Sequence, residues 1–308
     1  MPAVSVIITN WNGRRWLDDC FNALYAQSFQ DFEIILVDDG STDGSADWVA
    51  QHHPQVRLVR QEKHLGFAGA NNVGIRGAVG ENIVTLNNDT RADPNFLQEL
   101  LNGLSAPDVG MVAAQMLIWD NPDLLDSAGI VVDWAGFGWN RWWQQTAVEH
   151  NTPGEVFGPC AGAALYRREM LEQIGLFDED FYTYYEDVDL AWRARRAGWR
   201  CMYAPAARVL HFHSATGGFY SPRKVLLLSR NRLWAIIKNY AGRDLIWAFP
   251  ILLAYELASL VLQLLKSRTL SPVRGRWQAL LGSRRMFAKR LPHARRIKLA
   301  RPVIFSQR

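Results

Sequence analysis

The chain has 308 residues, 49% hydrophobic and 21% charged, with a formal net charge of +4. That composition supports a sizeable core and excludes a disordered chain, and the length favours one large α/β domain with an appendage. Three cysteines, Cys20, Cys160 and Cys201, without a CxxC pair, exclude a disulfide framework and a zinc cluster and fit a reducing compartment.

Val4–Thr9 is a β-branched run that reads as a first strand. It is short and has no basic flank, so no signal peptide is expected there. A helix is predicted over Arg15–Gln27 and a second strand over Glu33–Val37. The strand ends in Asp38-Asp39-Gly40-Ser41-Thr42-Asp43-Gly44, where a helix should start with Ser41 or Thr42 as its cap. Val56–Arg60 reads as a third strand, Asn71–Val79 as a short helix and Ile83–Leu86 as a fourth strand, ending in Asn87-Asn88-Asp89. This alternation implies βαβ units and a mostly parallel central sheet flanked by helices, an α/β fold. Thr9-Asn10, Asp38-Asp39 and Asn88-Asp89 each follow the carboxyl end of a strand, and in an open parallel sheet those ends border one crevice. Taken singly, each pair is also an ordinary turn sequence.

The stretch from Val109 to Glu155 is less regular. It carries Trp119, Trp134, Trp139, Trp142 and Trp143, and is expected to complete the sheet and supply an aromatic acceptor region. Phe157–Tyr166 reads as a strand, and Arg168–Ile174 and Asp187–Ala197 as helices. From Val225 the character changes. Leu245–Leu265 is long enough to span a bilayer, but Glu256 falls near its middle and Pro250 would bend it, so a surface-lying segment is an equal expectation. No acidic residue follows Glu256, whereas 13 basic ones do, leaving −9 over the first 265 positions. Trp277, Leu280, Leu281, Phe287 and Leu291 recur among arginines at helical spacing. That pattern fits a basic amphipathic helix in a lipid headgroup layer, or a helix packed on the main domain. The expected division is 1–240 for the α/β domain and 241–308 for an apolar, basic, helical, membrane-associating region.

Asp89 can offer a hard oxygen to Mg²⁺ or Mn²⁺, ions that bind through one or two carboxylates with substrate phosphates filling other positions. In Tyr184-Tyr185-Glu186-Asp187-Val188-Asp189, a carboxylate at a helix start is placed to take a proton from an attacking hydroxyl. Asp187 is read as that base, with Asp189 and Arg193 paired along the helix; plain capping is the bland alternative. His211 and His213 would share one strand face, where either could complete a metal site or simply meet solvent.

These segments together resemble the family 2 glycosyltransferases of the GT-A fold, most of all their rhamnosyltransferase-like branch. The resemblance runs from about Val4 to Tyr240. It rests on Val4–Gly13, Val37–Ser45, Gly66–Gly74, Leu86–Thr90, Gly175–Asp178, Tyr184–Leu190 and His211, in that order. It implies that Thr9, Asn10 and Trp11 line the base pocket, that Asp39 hydrogen-bonds uracil or thymine, and that Asn72 and Asn88 border the nucleotide sugar. Asp89 ends the family's Asp-x-Asp metal motif, whose first Asp is Asn87 here, a change that should weaken metal affinity. Glu186-Asp187 matches the catalytic-base motif, and His211 the histidine that reaches back to the metal.

The implied reaction is an inverting displacement with Asp187 as base and Mg²⁺ or Mn²⁺ as cofactor. The sugar, rhamnose by resemblance, would pass from a nucleoside-diphosphate donor to a glycan or polyprenyl-linked acceptor. A uridine diphosphate hexose or galactofuranose donor, or a GT-A module that binds without turnover, are the alternatives. An anionic membrane surface is the expected partner of the basic tail, at the cytoplasmic face of the inner membrane. No nucleic-acid reader motif is present, so no nucleic-acid partner is expected.

Overall fold

The computed structural model describes residues 1–212, 221–291, 297 and 299. His213 and the last basic residues, Arg295, Arg296, Lys298, Arg301 and Arg308, lie outside them. The chain opens with β1 (Val4–Asn10), α1 (Leu17–Tyr25), β2 (Phe32–Asp38), α2 (Ser45–His52), β3 (Arg57–Arg60), α3 (Gly66–Gly77) and β4 (Asn82–Asn87). β3, β2, β1 and β4 lie side by side and all parallel, as the strand–helix alternation predicted. Burial of both faces explains why the middles of β1 and β2, residues 6–8 and 34–37, are wholly apolar. Pairing of Asn10 with Asp38 and of Thr9 with Asn87 sets the three polar strand ends abreast.

α2 starts at Ser45 behind Gly44, not at Ser41 or Thr42. Ser41 Oγ instead accepts the Asn12 amide at 2.9 Å, and the Thr42 amide donates to Asn12 Oδ1 at 2.7 Å. The polar run thus forms a turn tied to the end of β1 before any helix begins. α3 begins at Gly66, five residues ahead of the expected start.

The second half of the sheet is mixed. β5 (Thr90–Ala92), α4 (Phe96–Asn102), β6 (Val109–Ile118), β7 (Asn121–Ser127), β8 (Ile130–Val132), β9 (Gly138–Asn140), β10 (Gly154–Val156) and β11 (Ala163–Arg167) follow. α5 (Arg168–Ile174), α6 (Glu186–Ala197) and β12 (Arg200–His211) complete this half. β11 lies antiparallel between β4 and β6, β12 runs parallel to β6, and β5 pairs antiparallel with the end of β12. β11 is shorter than the expected strand because Phe157–Gly162 approaches the cleft as irregular chain.

Three helices close the described chain: α7 (Pro222–Asn239), α8 (Gly242–Ser267), which continues through Pro250, and α9 (Ser271–Ala288). α9 lies on α7 at close range. A Cβ on Gly275 would come within 2.4 Å of the Leu226 carbonyl, and one on Gly282 within 2.6 Å of the Trp234 ring. Glu256, Ser259 and Gln263 fall on one face of α8. Glu256 pairs with Arg232 of α7 and Arg276 of α9, Ser259 accepts from Arg276 at 2.7 Å, and Gln263 accepts from Ser229 and Arg276 at 2.9 Å each. The acidic residue that spoiled the apolar run is therefore turned onto two arginines of neighbouring helices. The other faces of α8 expose Ile246, Phe249, Leu257, Val261 and Leu265, and Ala248–Ser267 is long and apolar enough to cross a membrane by length and composition. α9 packs on the main domain, with Ala279 and Met286 buried, and its Trp277, Leu280, Leu281 and Phe287 are exposed.

Candidate active site

A cleft of about 580 Å³ runs along the carboxyl ends of β1, β2 and β4 and on to the start of α6 and the first turns of α7. Thr9, Asn10, Trp11, Asp39, Asn88, Asp89, Glu186, Asp187 and His211 all line it. Of the five tryptophans in the irregular stretch, Trp139 alone does so; Trp119 instead packs against Trp16 and Phe212.

At one end the side chains order one another. Buried Asn10 donates to Asp38 Oδ1 at 3.1 Å, Ser41 Oγ at 3.1 Å and Ser45 Oγ at 2.8 Å, and its own Oδ1 accepts from Asn88 at 2.6 Å. Gly13 leaves the room that Asn88 needs, since a Cβ there would lie 2.1 Å from its Nδ2. The Asp39 carboxylate accepts the Leu65 amide at 2.7 Å, the Gly66 amide at 3.0 Å and His64 Nδ1 at 2.6 Å. His64 stacks on Trp11 with centroids 4.4 Å apart and planes 10° from parallel. Trp11, His64 and Asp39 thus make a flat, aromatic, acceptor-bearing corner suited to a planar base.

Asn72 is not part of this arrangement. Its Nδ2 donates to the Phe177 carbonyl at 2.8 Å and Glu179 Oε1 at 2.9 Å, and its Oδ1 accepts the Phe177 amide at 3.1 Å. The residue is buried away from the cleft, and its amide is committed to holding the loop after α5. Its expected contact with the nucleotide sugar is therefore corrected to a structural one.

Mid-cleft, the pairing of Thr90 with His211 brings β5 and the end of β12 together. His211 Nε2 lies 3.4 Å from Asp89 Oδ1 and 3.1 Å from Asn87 Nδ2. His211 Nδ1 meets Asp126 Oδ2 of β7 at 2.6 Å. A carboxylate only accepts, so Nδ1 carries the proton there and Nε2 faces the cleft. Burial opposes charge on the ring, but Asp126 and Asp89 outweigh it and raise the His211 pKa to about 10. Two ligands of one Mg²⁺ or Mn²⁺ lie about 3 Å apart, so the spacing of Asp89 Oδ1 and His211 Nε2 fits a cation shared between them, with the proton kept on Nδ1. The carboxylate behind the imidazole is the usual orienting partner of a metal-binding histidine. Among the described residues no three His, Cys, Asp or Glu side chains form a full cage. Diphosphate oxygens and water would have to complete the coordination. Asp126 was not found from sequence; its one signal is an acid inside an otherwise apolar strand end.

The far end carries backbone strain. Tyr182, Tyr184 and Tyr185 all have positive φ, at 68°, 68° and 71°, immediately ahead of α6. For non-glycine residues each such conformation costs on the order of 1 kcal/mol or more, and it persists only where the surroundings enforce it. On one side Gly66, itself at φ 77°, passes so close that a Cβ would lie 2.6 Å from the Tyr182 ring, and the Ala68 amide donates to the Tyr182 carbonyl at 3.1 Å. On the other, buried Asn231 of α7 donates to the carbonyls of Phe181, Thr183 and Tyr184 at 2.9, 2.9 and 2.6 Å. Within α6, Asp189 is fixed by Arg193 at 2.8 Å, as its spacing predicted, and by Lys238 at 2.9 Å and Asn239 at 2.8 Å. Burial works against the Asp189 charge, but Lys238 and Arg193 prevail and lower its pKa to about 2. This leaves Asp189 a structural anion.

Glu186 and Asp187 behave differently. Burial raises both carboxyls, and for Glu186 the neighbouring Asp187 charge adds to the effect. Among the described residues Glu186 Oε2 is buried without a hydrogen-bond partner, whereas Asp187 accepts the Val188 amide at 2.7 Å. Two adjacent buried carboxyls resist double ionisation, and the one with backbone support ionises first. Asp187 is accordingly the member that ionises first, burial favours the protonated form of Glu186, and both carboxyls line the cleft.

The glycosyl transferase family 2 model matches residues 5–175. An O-antigen biosynthesis protein RfbC from Myxococcus xanthus is 29% identical over 226 residues, covering 70% of this chain and 18% of that protein's length. An N-acetylglucosaminyl-diphospho-decaprenol L-rhamnosyltransferase of Mycobacterium tuberculosis is 30% identical over 211 residues, 60% of this chain and 68% of its own. Among solved structures, GalNAc-T7 with UDP, GalNAc and Mn²⁺ superposes with a TM-score of 0.63 at 17% identity, over 77% of this chain and 48% of that one. The mannosyltransferase PcManGT of Pyrobaculum calidifontis, with GDP-Man and Mn²⁺, gives 0.57 at 20% identity, over 94% and 84%. The sheet order, the cleft at the strand ends and the matched family model agree: this chain has a GT-A fold and belongs to glycosyl transferase family 2.

Proposed function

We propose that the chain is an inverting glycosyltransferase that moves a sugar from a nucleoside diphosphate to a hydroxyl of a glycan or lipid-linked glycan. The supporting observation is the placement of Asp89 with His211, and of Glu186 with Asp187, along one cleft. Trp11, His64 and Asp39 would hold the base, and Asn88 would border the donor beyond them. Asp187 takes the proton of the acceptor hydroxyl, whose oxygen forms the new bond to the anomeric carbon on the face opposite the diphosphate. The carbon–oxygen bond to the diphosphate breaks, and the nucleoside diphosphate leaves. A divalent cation held by Asp89 and His211 would supply positive charge against that leaving group.

Rhamnose is our reading of the donor sugar, supported by the likeness to the mycobacterial rhamnosyltransferase. The names of that relative and of the O-antigen protein support reading the reaction as a step of cell-envelope polysaccharide assembly. We read residues 1–240 as the catalytic unit and 241–308 as a membrane-associating appendage on the cytoplasmic face, supported by the exposed apolar faces of α8 and α9 beside Lys266, Arg268, Arg274 and Arg284.

A panel of nucleotide sugars with Mn²⁺ or Mg²⁺ tests the donor, because a bound donor raises the melting temperature by mass action. Deoxythymidine diphosphate rhamnose should give the largest shift. A larger shift from a uridine diphosphate hexose would transfer the assignment to that donor, and no shift from any nucleotide would remove the transferase reading. For the appendage, the full chain should sediment with phosphatidylglycerol vesicles and ignore duplex DNA at matched salt; the reverse would make the tail a nucleic-acid binder.

A further inference from the structure

The cleft is strained where its reacting carboxyls lie, and one of the two elements that hold the strained segment is α7, outside the residues that the family model matches. Asn231 is wholly buried, and its side chain meets the strained loop. Arg230 Nε donates to Asn231 Oδ1 at 2.8 Å, which fixes the amide with its two hydrogens toward the loop. Those two hydrogens are shared by the carbonyls of Phe181, Thr183 and Tyr184, and the Arg230 guanidinium adds bonds to the carbonyls of Asp180 and Phe181 at 3.3 and 3.1 Å. Three carbonyls of an ordinary coil do not converge on one side chain. They do so here because Tyr182 and Tyr184 are held at positive φ. Tyr185, also at positive φ, is the residue from which α6 starts, and Glu186 and Asp187 are its first two helical residues. The direction of both carboxyls is therefore set by the same backbone that Asn231 grips.

We infer that Asn231, oriented by Arg230, is a positioning residue that holds the left-handed Tyr182–Tyr185 segment and thereby aims Asp187 at the acceptor hydroxyl. Asn231 does not line the cleft, so it acts through the loop and touches no substrate. This rests on the reading of Asp187 as the base. One consequence is that catalysis depends on α7, a helix that also carries Arg232, the partner of Glu256 on α8. The loop and the apolar appendage are thus held by adjacent residues of one helix.

Two measurements separate this role from mere stability and from the choice of base. In Asn231→Ser, one donor replaces two, so amide hydrogen exchange should speed up in residues 181–188 while β1 and β2 stay protected. That readout needs no turnover, so it tests the grip even if Asp187 proves not to be the base. In the same variant kcat should fall by about 10- to 100-fold, as expected for a reacting group moved by a fraction of an ångström, with the nucleotide dissociation constant within about threefold of wild type. Ser229→Ala is the control: it removes a bond between α7 and α8 at 2.9 Å without touching the loop, and should leave kcat within about twofold. If Asn231→Ser does not fold, Arg230→Met removes the outer half of the same grip and should reproduce the pattern more weakly. Unchanged exchange over 181–188 would overturn the proposal, as would a kcat loss in Ser229→Ala equal to that in Asn231→Ser.

Discussion

The two ends of the cleft are built in different ways. The end proposed to hold the nucleotide comes from the first 89 residues. Thr9, Asn10, Asp39 and Asn88 stand at or just past the ends of neighbouring parallel strands, and β1 pairs directly with both β2 and β4. The reacting end is gathered from far apart: His211 returns 124 positions after Asn87, Asp126 stands behind it from β7, and α7 supplies Asn231, Lys238 and Asn239. Local chain order makes the first, and buried polar contacts across long sequence separations make the second. Substitutions of Asp187 and Asp189 at the reacting end should therefore alter turnover or stability while leaving nucleotide affinity in place.

Asp187→Asn gives the sharpest separation. Turnover should fall by about 10²- to 10⁴-fold, with nucleotide affinity by calorimetry unchanged; a variant that no longer binds nucleotide would merge the two ends. Because burial raises the Asp187 carboxyl, and only its ionised form accepts a proton, wild-type kcat should be lost as the pH falls through a value above the ordinary carboxylate range. A kcat–pH profile shows this limb, and residual turnover in the variant should lack it.

Asp189→Asn acts on stability. It leaves Lys238 and Arg193 short of a buried anion, a loss of about 3–5 kcal/mol by chemical denaturation. The folded pKa near 2 lies below the unfolded value, so the wild-type advantage is full above pH about 4 and shrinks as the pH drops below it. The gap between wild type and variant should narrow in that window; a gap independent of pH would assign it to packing instead.

Asp126→Asn removes the carboxylate behind His211, and Mn²⁺ affinity measured by spin resonance should drop by about 10- to 100-fold. Unchanged affinity would take His211 off the cation. The smallest effect belongs to Asn72→Ala, where loss of three buried hydrogen bonds should cost about 1–3 kcal/mol of stability with nucleotide affinity unaltered. Weaker nucleotide binding there would return Asn72 to the donor site.

The same division governs what could be read in advance. β1, β2 and β4 are buried on both faces, so their residues announce strands, and the polar residues after them announce a crevice. The convergence of Asp89 and His211 was expected from the family resemblance alone, because it is made by the three-residue β5 and by β12. β12 hides in the sequence: Pro205 and the register shift between Ala204 and Arg208 break its alternation. α4 passed unnoticed because seven residues carry little periodicity. Asn72 was expected at the donor from the resemblance, and the sequence around a carboxamide does not reveal whether it faces substrate or a distant loop. Glu256, Ser259 and Gln263 already had the spacing of one helix face, but Arg232 and Arg276, which meet them, could be named only from the fold. Asn231 gave no signal, since its partners are backbone carbonyls and carry no residue identity.

The position of α7 also bears on how the enzyme comes into being during synthesis. A nascent chain released only as far as Gly198 could already pair β1, β2 and β4, yet it would lack His211 and the amide that holds the tyrosine loop. Both arrive by Asn239, and Gly242, the first residue of the apolar α8, follows at once. The last residue that braces the reacting end and the first residue of the apolar helix are therefore three positions apart in synthesis, so the site is complete in sequence just before the apolar segment begins to emerge.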